Sequence, residues 1–190
     1  MSRTSVLVGT VIDGNPVENR VINNEKFYTI KARFHKAEIR VLYSQYTFDN
    51  TLNKDTKIAV TGCLMSDIKQ GSRPEFYIYA NKIDVVDMDT ESTNTLNFRC
   101  SITRVKDFCI NSRCMEIQPL VAAERNPLGA TSILYISARD GIARKLKDRE
   151  KGYALAGKGY LRSYRDIYDI TLIEAYIVDE HDNIIEDLNN

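Results

Sequence analysis

The feature that most constrains the fold is an internal duplication, in which residue 58 aligns with residue 155 at an offset of 97 residues. The segment IAVTGCLMS (58–66) superposes on LAGKGYLRS (155–163). The identical positions include Gly62 and Gly159, Leu64 and Leu161, and Ser66 and Ser163. Each segment precedes a turn and then an apolar run that ends in an acidic residue. Two similar halves predict two similar structural units.

Each half predicts the same order of elements: three strands, a short helix and two further strands. In the first half we expect strands near 5–13, 26–35, 38–43, 57–66 and 75–86, with a helix near 46–52. In the second half we expect strands near 96–106, 113–122, 132–138, 153–164 and 168–178, with a helix near 140–149. Five strands with a helix between the third and the fourth is the order of the OB-fold, a small Greek-key barrel. The sequence therefore predicts an all-β chain of two tandem five-stranded OB-fold barrels, each with a short helix between strands 3 and 4.

A polar, acidic segment separates the two halves. The segment VVDMDTESTNT (85–95) has no apolar periodicity and is typical of a linker. The length of 190 residues suits two domains of about 90 residues each. We expect a first domain over 1–89, a linker over 90–95, a second domain over 96–180 and a short acidic tail over 181–190.

Several classes of protein find no support in the sequence. It has no apolar run of about 18 residues and no signal peptide, so the expectation is a cytoplasmic protein without a membrane partner. The four cysteines form no CxxC pair, and the two histidines lie far from them in sequence, so metal-ligand spacing is absent. There is no phosphate-binding loop, GxSxG or HExxH motif. The chain is predicted not to be an enzyme and to bind no cofactor or metal.

The strand with the most informative pattern is GKGYLRSYRDIY, residues 157–168. Because side chains alternate along a strand, one face carries Lys158, Tyr160, Arg162 and Tyr164. Rings on which bases stack, interleaved with cations for phosphates, are what proteins use to hold single-stranded nucleic acid. The alternative interpretation is a solvated edge where tyrosines pack on arginine stems.

The charge distribution favours the same region. The net charge of the chain is zero, but nine Lys and Arg residues lie within 139–165 against three acidic ones, while the chain beyond residue 178 is acidic. We expect phosphate contacts from Lys158, Arg162 and Arg165, and from the segment before them, which includes Arg139, Arg144 and Lys145. A solvated amphipathic helix is the alternative for the last two residues.

The first half shows a weaker version of the pattern. In KFYTIKARFH (26–35), Phe27, Lys31 and Arg33 share one face, which could bind DNA, while the alternate residues resemble core. The counterparts of the Lys-Tyr-Arg face are Thr61, Cys63 and Met65, which carry no charge. The first barrel is therefore expected to bind less through that strand, or to bind a protein partner.

The second half resembles the bacterial single-stranded DNA-binding protein (SSB) family, on the stretch ILYISARDGIARKLKDREKGYALAGKGYLRSY. The first half matches the same outline in IRVLYSQYTFDNTLNKDTKIAVTGCLMS, and it also resembles primosomal replication protein N. The resemblance implies DNA binding on the barrels, with Arg162 at a basic strand position, Tyr164 near an aromatic one and Tyr43 at an aromatic position of the third strand. Two barrels in one chain imply fewer chains per assembly, and a homo-oligomer that is a dimer.

The function predicted from the sequence is non-specific binding of single-stranded DNA in replication, recombination or repair. The alternative is a protein-interaction module of a replication, recombination or phage-like assembly, favoured by the uncharged strand face and the zero net charge. RNA is a third candidate ligand, because OB-folds bind both nucleic acids.

Overall fold

The computed structural model describes residues 4–48, 52–67, 74–164 and 167–189, without the side chains of Tyr164 and Ile167. The first half contains five strands: β1 (Ser5–Ile22), β2 (Glu25–Phe34), β3 (Ala37–Ser44), β4 (Lys57–Asp67) and β5 (Glu75–Val85). No helix among the described residues is long and apolar enough to cross a membrane.

The second half repeats this pattern with additions. Its elements are β6 (Thr95–Val105), β7 (Cys109–Ile110), β8 (Glu116–Arg125), β9 (Thr131–Arg139), α1 (Asp140–Leu146), β10 (Ala154–Tyr164), β11 (Ile167–Val178) and β12 (Ile184–Asp187). The short strand β7 pairs with β8, and β12 pairs with the C-terminal end of β11. The predicted acidic tail therefore contains a strand, and Leu188 beyond it is buried.

The two halves have the same topology. The first is a closed barrel in the order β1-β2-β3-β5-β4. The second runs β6-β8-β9-β11-β10, and the pairing of β10 with both β11 and β6 closes the ring. In each ring the third and fifth strands are the parallel pair, β3 with β5 and β9 with β11. The predicted all-β architecture of two tandem OB-fold barrels is confirmed.

Glycines in the fourth strand of each ring permit the close strand contacts that closure requires. A register shift separates Thr61 from Gly62 in the first barrel and Lys158 from Gly159 in the second, so the aligned glycines occupy equivalent bulges. A Cβ atom on Gly62 would lie 2.0 Å from the carbonyl oxygen of Tyr79 on the neighbouring strand. Gly157 has the same constraint, at 2.0 Å from the carbonyl oxygen of Glu174.

In the first half the structure differs from the expected elements in two places. Strand β1 continues to residue 22 instead of 13, because the hairpin turns at Asn23 and Asn24, whose positive φ angles of 50° and 65° suit a two-residue turn. The second place is the helix expected near 46–52. Its described residues up to 48 form a turn, residue 52 is not helical, and 49–51 lie outside the described residues.

Direct contacts join the barrels. Ser66 of β4 and Ser132 of β9 are buried, and their hydroxyl groups each donate to a backbone carbonyl of the other barrel, at 2.8 and 3.0 Å. The ring of Phe76 lies between Tyr135 and Tyr168, with centroid distances of 5.9 and 5.5 Å. Since buried polar groups need partners, these reciprocal hydrogen bonds fix one arrangement of the two barrels.

Candidate functional site

Strand β10 separates its side chains as the alternation predicts. Leu155 and Leu161 are fully buried in the core, whereas Lys158 and Arg162 are exposed and Tyr160 is half-buried. The outward row thus carries a ring between two cations.

Both cations of this row pair with carboxylates on the neighbouring strand. Arg162 donates to both oxygens of Asp169, at 3.1 and 2.9 Å, and Lys158 Nζ lies 3.4 Å from the carboxylate of Glu174. The hydrogen bond from Arg162 to Asp169 is the main cause that raises the pKa of Arg162. Asp169 also accepts a hydrogen bond of 2.6 Å from Ser137 Oγ. Much of the positive charge of β10 is therefore balanced locally.

Arg139, at the end of β9, lacks such a carboxylate among the described residues. Its guanidinium carbon lies 5.9 Å from the ring centroid of Tyr160, and its Nε is buried without a hydrogen-bond partner. A cation over a ring face is attracted by the ring quadrupole. Arg139 therefore holds an unsatisfied donor beside the one ring that the described part of β10 presents outward.

The face extends along β9. Tyr135 and Arg139 lie on the opposite side of β9 from the buried Leu134 and Ile136. Lys106 Nζ lies 5.7 Å from the ring centroid of Tyr135. We call the set Tyr135, Arg139, Lys158, Tyr160 and Arg162 the ring–cation face. Sequence reasoning missed Tyr135, although the alternation in ILYISAR (133–139) carries the signal.

The helical cations have structural partners. Arg144 Nε donates to a carboxylate oxygen of Glu116 at 2.5 Å, which ties α1 to β8. Lys145 Nζ donates to the backbone oxygen of Asp187 at 3.3 Å, which ties α1 to β12. Both contacts are exposed and leave the side chains near solvent.

The corresponding face of the first barrel is covered. Phe27 is only 2 % exposed and forms an outer apolar cluster, which we call the covered face. Its members are Phe27, Leu42, Met65 and Tyr77, with Ile22, Tyr79 and Leu128 packed against them. Leu128 belongs to the loop between β8 and β9, so the second barrel helps to cover the first. Phe27 is thereby corrected from a stacking residue to a buried one.

Tyr43 is also corrected. It is 3 % exposed and points into the core of the first barrel, with its ring centroid 6.1 Å from that of Tyr28. Burial raises the pKa of the Tyr43 hydroxyl. Ala138, which stands at the corresponding third-strand position of the second barrel, is likewise buried, so this position faces inward in both barrels.

The remaining predicted residues divide into two groups. Lys31 and Arg33 are exposed, and both pair with Glu38, at 3.4 and 2.5 Å. The hydrogen bond from Arg33 is the main cause that lowers the pKa of Glu38. Arg165 and the side chain of Tyr164 lie outside the described residues.

Among the described residues, no group of three His, Cys, Asp or Glu side chains could hold a metal ion.

Comparison with known proteins identifies the fold. No protein-family model matches the chain, and no curated protein sequence matches it. The crystal structure of the single-stranded DNA-binding protein from Thermus aquaticus is similar, with a TM-score of 0.76 at 16% identity over 93% of each chain. A deletion variant of that protein gives 0.77 at 18% identity, over 93% of this chain and 94% of that chain.

A third solved structure matches only part of the chain. The N-terminal domain of PriB from Thermoanaerobacter tencongensis covers 45% of this chain and 97% of its own, at 22% identity and a TM-score of 0.38. The conclusion on fold rests on the two Thermus aquaticus structures. The resemblance seen in the sequence is confirmed at the level of this tandem-barrel fold.

Proposed function

We propose that this protein binds single-stranded DNA without sequence specificity, through the ring–cation face of the second barrel. The observation that carries the proposal is the pairing of Arg139 with Tyr160, since a half-buried ring lies beside a guanidinium that has no carboxylate partner among the described residues. A base can stack on such a ring for about 1–3 kcal/mol, while the cation attracts a phosphate.

The fold supports this proposal without deciding it. The similar solved structures from Thermus aquaticus are described as single-stranded DNA-binding proteins. Because one fold hosts many functions, the argument rests on the side chains of the face.

The ion pairs of the ring–cation face indicate which of its cations should bind a phosphate most strongly. Among the described residues Arg139 pairs with no carboxylate that a phosphate would have to displace, so we expect it to make the strongest phosphate contact. Arg162 and Lys158 contribute less, because a phosphate must compete with Asp169 and Glu174. Tyr160 and Tyr135 are the stacking rings. Tyr164 and Arg165 remain predictions, as do the dimeric state, the cytoplasmic location and the role in replication, recombination or repair.

The second candidate function is the binding of a protein partner. The observation that favours it is the local neutralisation of Lys158, Arg162, Lys31 and Arg33 by carboxylates, which weakens the attraction for phosphates.

The test is a fluorescence-polarisation titration of a labelled oligo-dT of about 35 nucleotides, long enough for two OB-folds. Tyr160→Ala is expected to raise Kd about 5- to 150-fold, the equivalent of one stacked base. Arg139→Ala should reduce the salt dependence of log K by about 0.7, the contribution of one phosphate on a single strand.

Tyr46→Ala is the matched control, because Tyr46 is 78% exposed between β3 and β4 of the first barrel and lies outside the ring–cation face. It should bind like the wild type. Equal losses in the Tyr46 and Tyr160 variants would contradict the assignment of the face. If the wild type fails to bind at low salt, the protein-partner candidate is favoured, and equal competition by oligo-rU would extend the ligand to RNA.

A further inference from the structure

A groove of about 550 Å³ lies where the two barrels meet. Its lining comes from four parts of the chain. The parts are His35 and Lys36 in the turn between β2 and β3, Asn94 and Thr95 at the start of β6, residues 160–163 of β10, and Ile173 of β11. The volume falls within the range of about 300–1,000 Å³ that is usual for ligand pockets.

Hydrogen bonds within the second half and between the two barrels hold the groove walls in place. Asn94 Nδ2 donates to the carbonyl of Leu161 at 3.0 Å, and the Leu161 amide donates to the carbonyl of Asn94 at 3.1 Å. Tyr168 Oη donates to the carbonyl of Glu38 at 2.5 Å, which fixes the start of β3 to the second barrel. The groove is therefore formed before a ligand arrives.

The chemistry of the lining suits a nucleotide. None of the described lining residues is acidic, and the three of them that can carry positive charge are His35, Lys36 and Arg162. Lys36 is exposed and has no carboxylate partner among the described residues. Hydroxyl and amide groups of Ser163, Thr95 and Asn94 add hydrogen-bonding capacity, and Tyr160 adds a ring. An anionic backbone that carries planar bases matches this combination.

We infer that the groove holds the continuation of the DNA strand bound on the ring–cation face, with its phosphates against Lys36 and His35 of the first barrel. This inference rests on the proposed function, because Tyr160 and Arg162 belong to both the face and the groove. The first barrel thus contributes the tip of its β2–β3 hairpin to the binding of one strand, instead of the covered face.

The first test compares two lengths of oligo-dT in polarisation titrations. A short oligomer of about 6 nucleotides fits within the ~4–16 that one OB-fold covers, and a longer one of about 25 nucleotides reaches the groove. The double variant His35→Ala/Lys36→Ala should bind the longer oligomer about threefold to tenfold more weakly, with a salt slope reduced by about 0.7 per lost contact. Its binding of the short oligomer should be unchanged.

Lys54→Ala is the control, because Lys54 is also exposed in the first barrel but lies in the loop at the other end of β3. It should bind both oligomers like the wild type. Equal weakening by Lys54→Ala, or no weakening by the double variant, overturns the inference. The proposed function still holds in that case if the wild type binds the short oligomer. Failure of the wild type to bind either oligomer overturns both.

The second test measures DNA binding by the wild-type protein. The chain has two histidines, His35 in the groove and His181 in the turn between β11 and β12. In NMR spectra of the imidazole ring signals, assigned with His35→Ala, the longer oligomer should shift the signals of His35 and leave those of His181 in place. The short oligomer should shift neither. A spectrum in which His35 does not respond to the longer oligomer overturns the inference.

Discussion

The two barrels share one topology but use the same outer surface in opposite ways. In the first barrel the outward residues of β2, β3, β4 and β5 form the apolar covered face, closed by Ile22 and by Leu128 from the other barrel. In the second barrel two of the equivalent strands, β9 and β10, carry the ring–cation face, where Lys158 and Arg162 stay exposed. The difference shows that barrel closure constrains the inward pattern and leaves the outward pattern free to change.

The comparison also separates an apolar outer surface on the first barrel from a charged outer surface on the second. The covered face has no charged member and contributes to stability through buried apolar area, at roughly 25 cal/mol per Å². The ring–cation face keeps its cations, with one of them unpaired within the described part of the chain. One barrel thus serves mainly as support, and the other presents the proposed binding groups.

The largest effect is expected in the fourth strand of each barrel, at Gly62 and Gly157. A methyl group at either position would lie 2.0 Å from a backbone oxygen of the adjacent strand, so the strands must separate. Gly62→Ala and Gly157→Ala should each lower the free energy of unfolding by more than about 3 kcal/mol, measured by urea denaturation.

The control for these variants is Gly141→Ala, because a Cβ atom at Gly141 in α1 meets nothing within 4 Å. This change should be neutral or raise the free energy of unfolding by up to about 1 kcal/mol, as for alanine in a helix. If Gly157→Ala proves as mild as Gly141→Ala, closure of the second barrel does not depend on this contact.

A smaller effect, on the affinity for oligo-dT, should distinguish the outer faces of the two barrels. Asp169→Asn removes the carboxylate that balances Arg162 and leaves an amide oxygen to accept the hydrogen bond from Ser137. With Arg162 released, affinity for oligo-dT should rise severalfold, and the salt slope should steepen by about 0.7, one additional phosphate contact.

Asp84→Asn provides the matched variant in the first barrel. Asp84 pairs with the exposed Lys82 at 2.7 Å, so its replacement frees one cation and changes the net charge by the same amount. It should leave the affinity near the wild-type value. Equal gains for the two variants would show that the effect depends on net charge alone and that the ring–cation face has no special part.

The sequence predicts those features of the fold and the site that depend on residues close together in the chain. The alternation of apolar residues is local, and it correctly placed Leu155 and Leu161 inward and Tyr160 outward. The same rule could have placed Tyr43 in the core with Ile39 and Val41, against the position that the family resemblance implied.

The corrections at the site come from contacts between distant parts of the chain. Phe27 is on the predicted face, but its cover includes Leu128, about a hundred residues later in the sequence. The pairing of Arg162 with Asp169 depends on the register of β10 with β11, since the two residues are direct partners. No local pattern specifies either contact, so exposure and charge balance could not be predicted from the strand alone.

The smallest predicted effect concerns Tyr153, just before β10. Burial raises the pKa of its phenol from 10.0 to about 12, and its Oη is buried without a hydrogen-bond partner. Because the folded pKa is higher than the unfolded one, the contribution to stability is complete below pH 10 and is lost as the pH rises toward about 12. Stability measured by urea denaturation should therefore fall over this range, and less steeply in Tyr153→Phe.

Tyr153→Phe should be neutral or slightly stabilising at neutral pH, because it removes a buried polar atom that has no partner. The first barrel supplies the competing explanation, since burial also raises the pKa values of Tyr43 and Tyr77. If the wild type and Tyr153→Phe lose stability in parallel above pH 10, the alkaline sensitivity belongs to the phenols of the first barrel. A flatter profile for Tyr153→Phe assigns it to the second barrel, so this variant separates the two cores as the Asp169 and Asp84 variants separate the two outer faces.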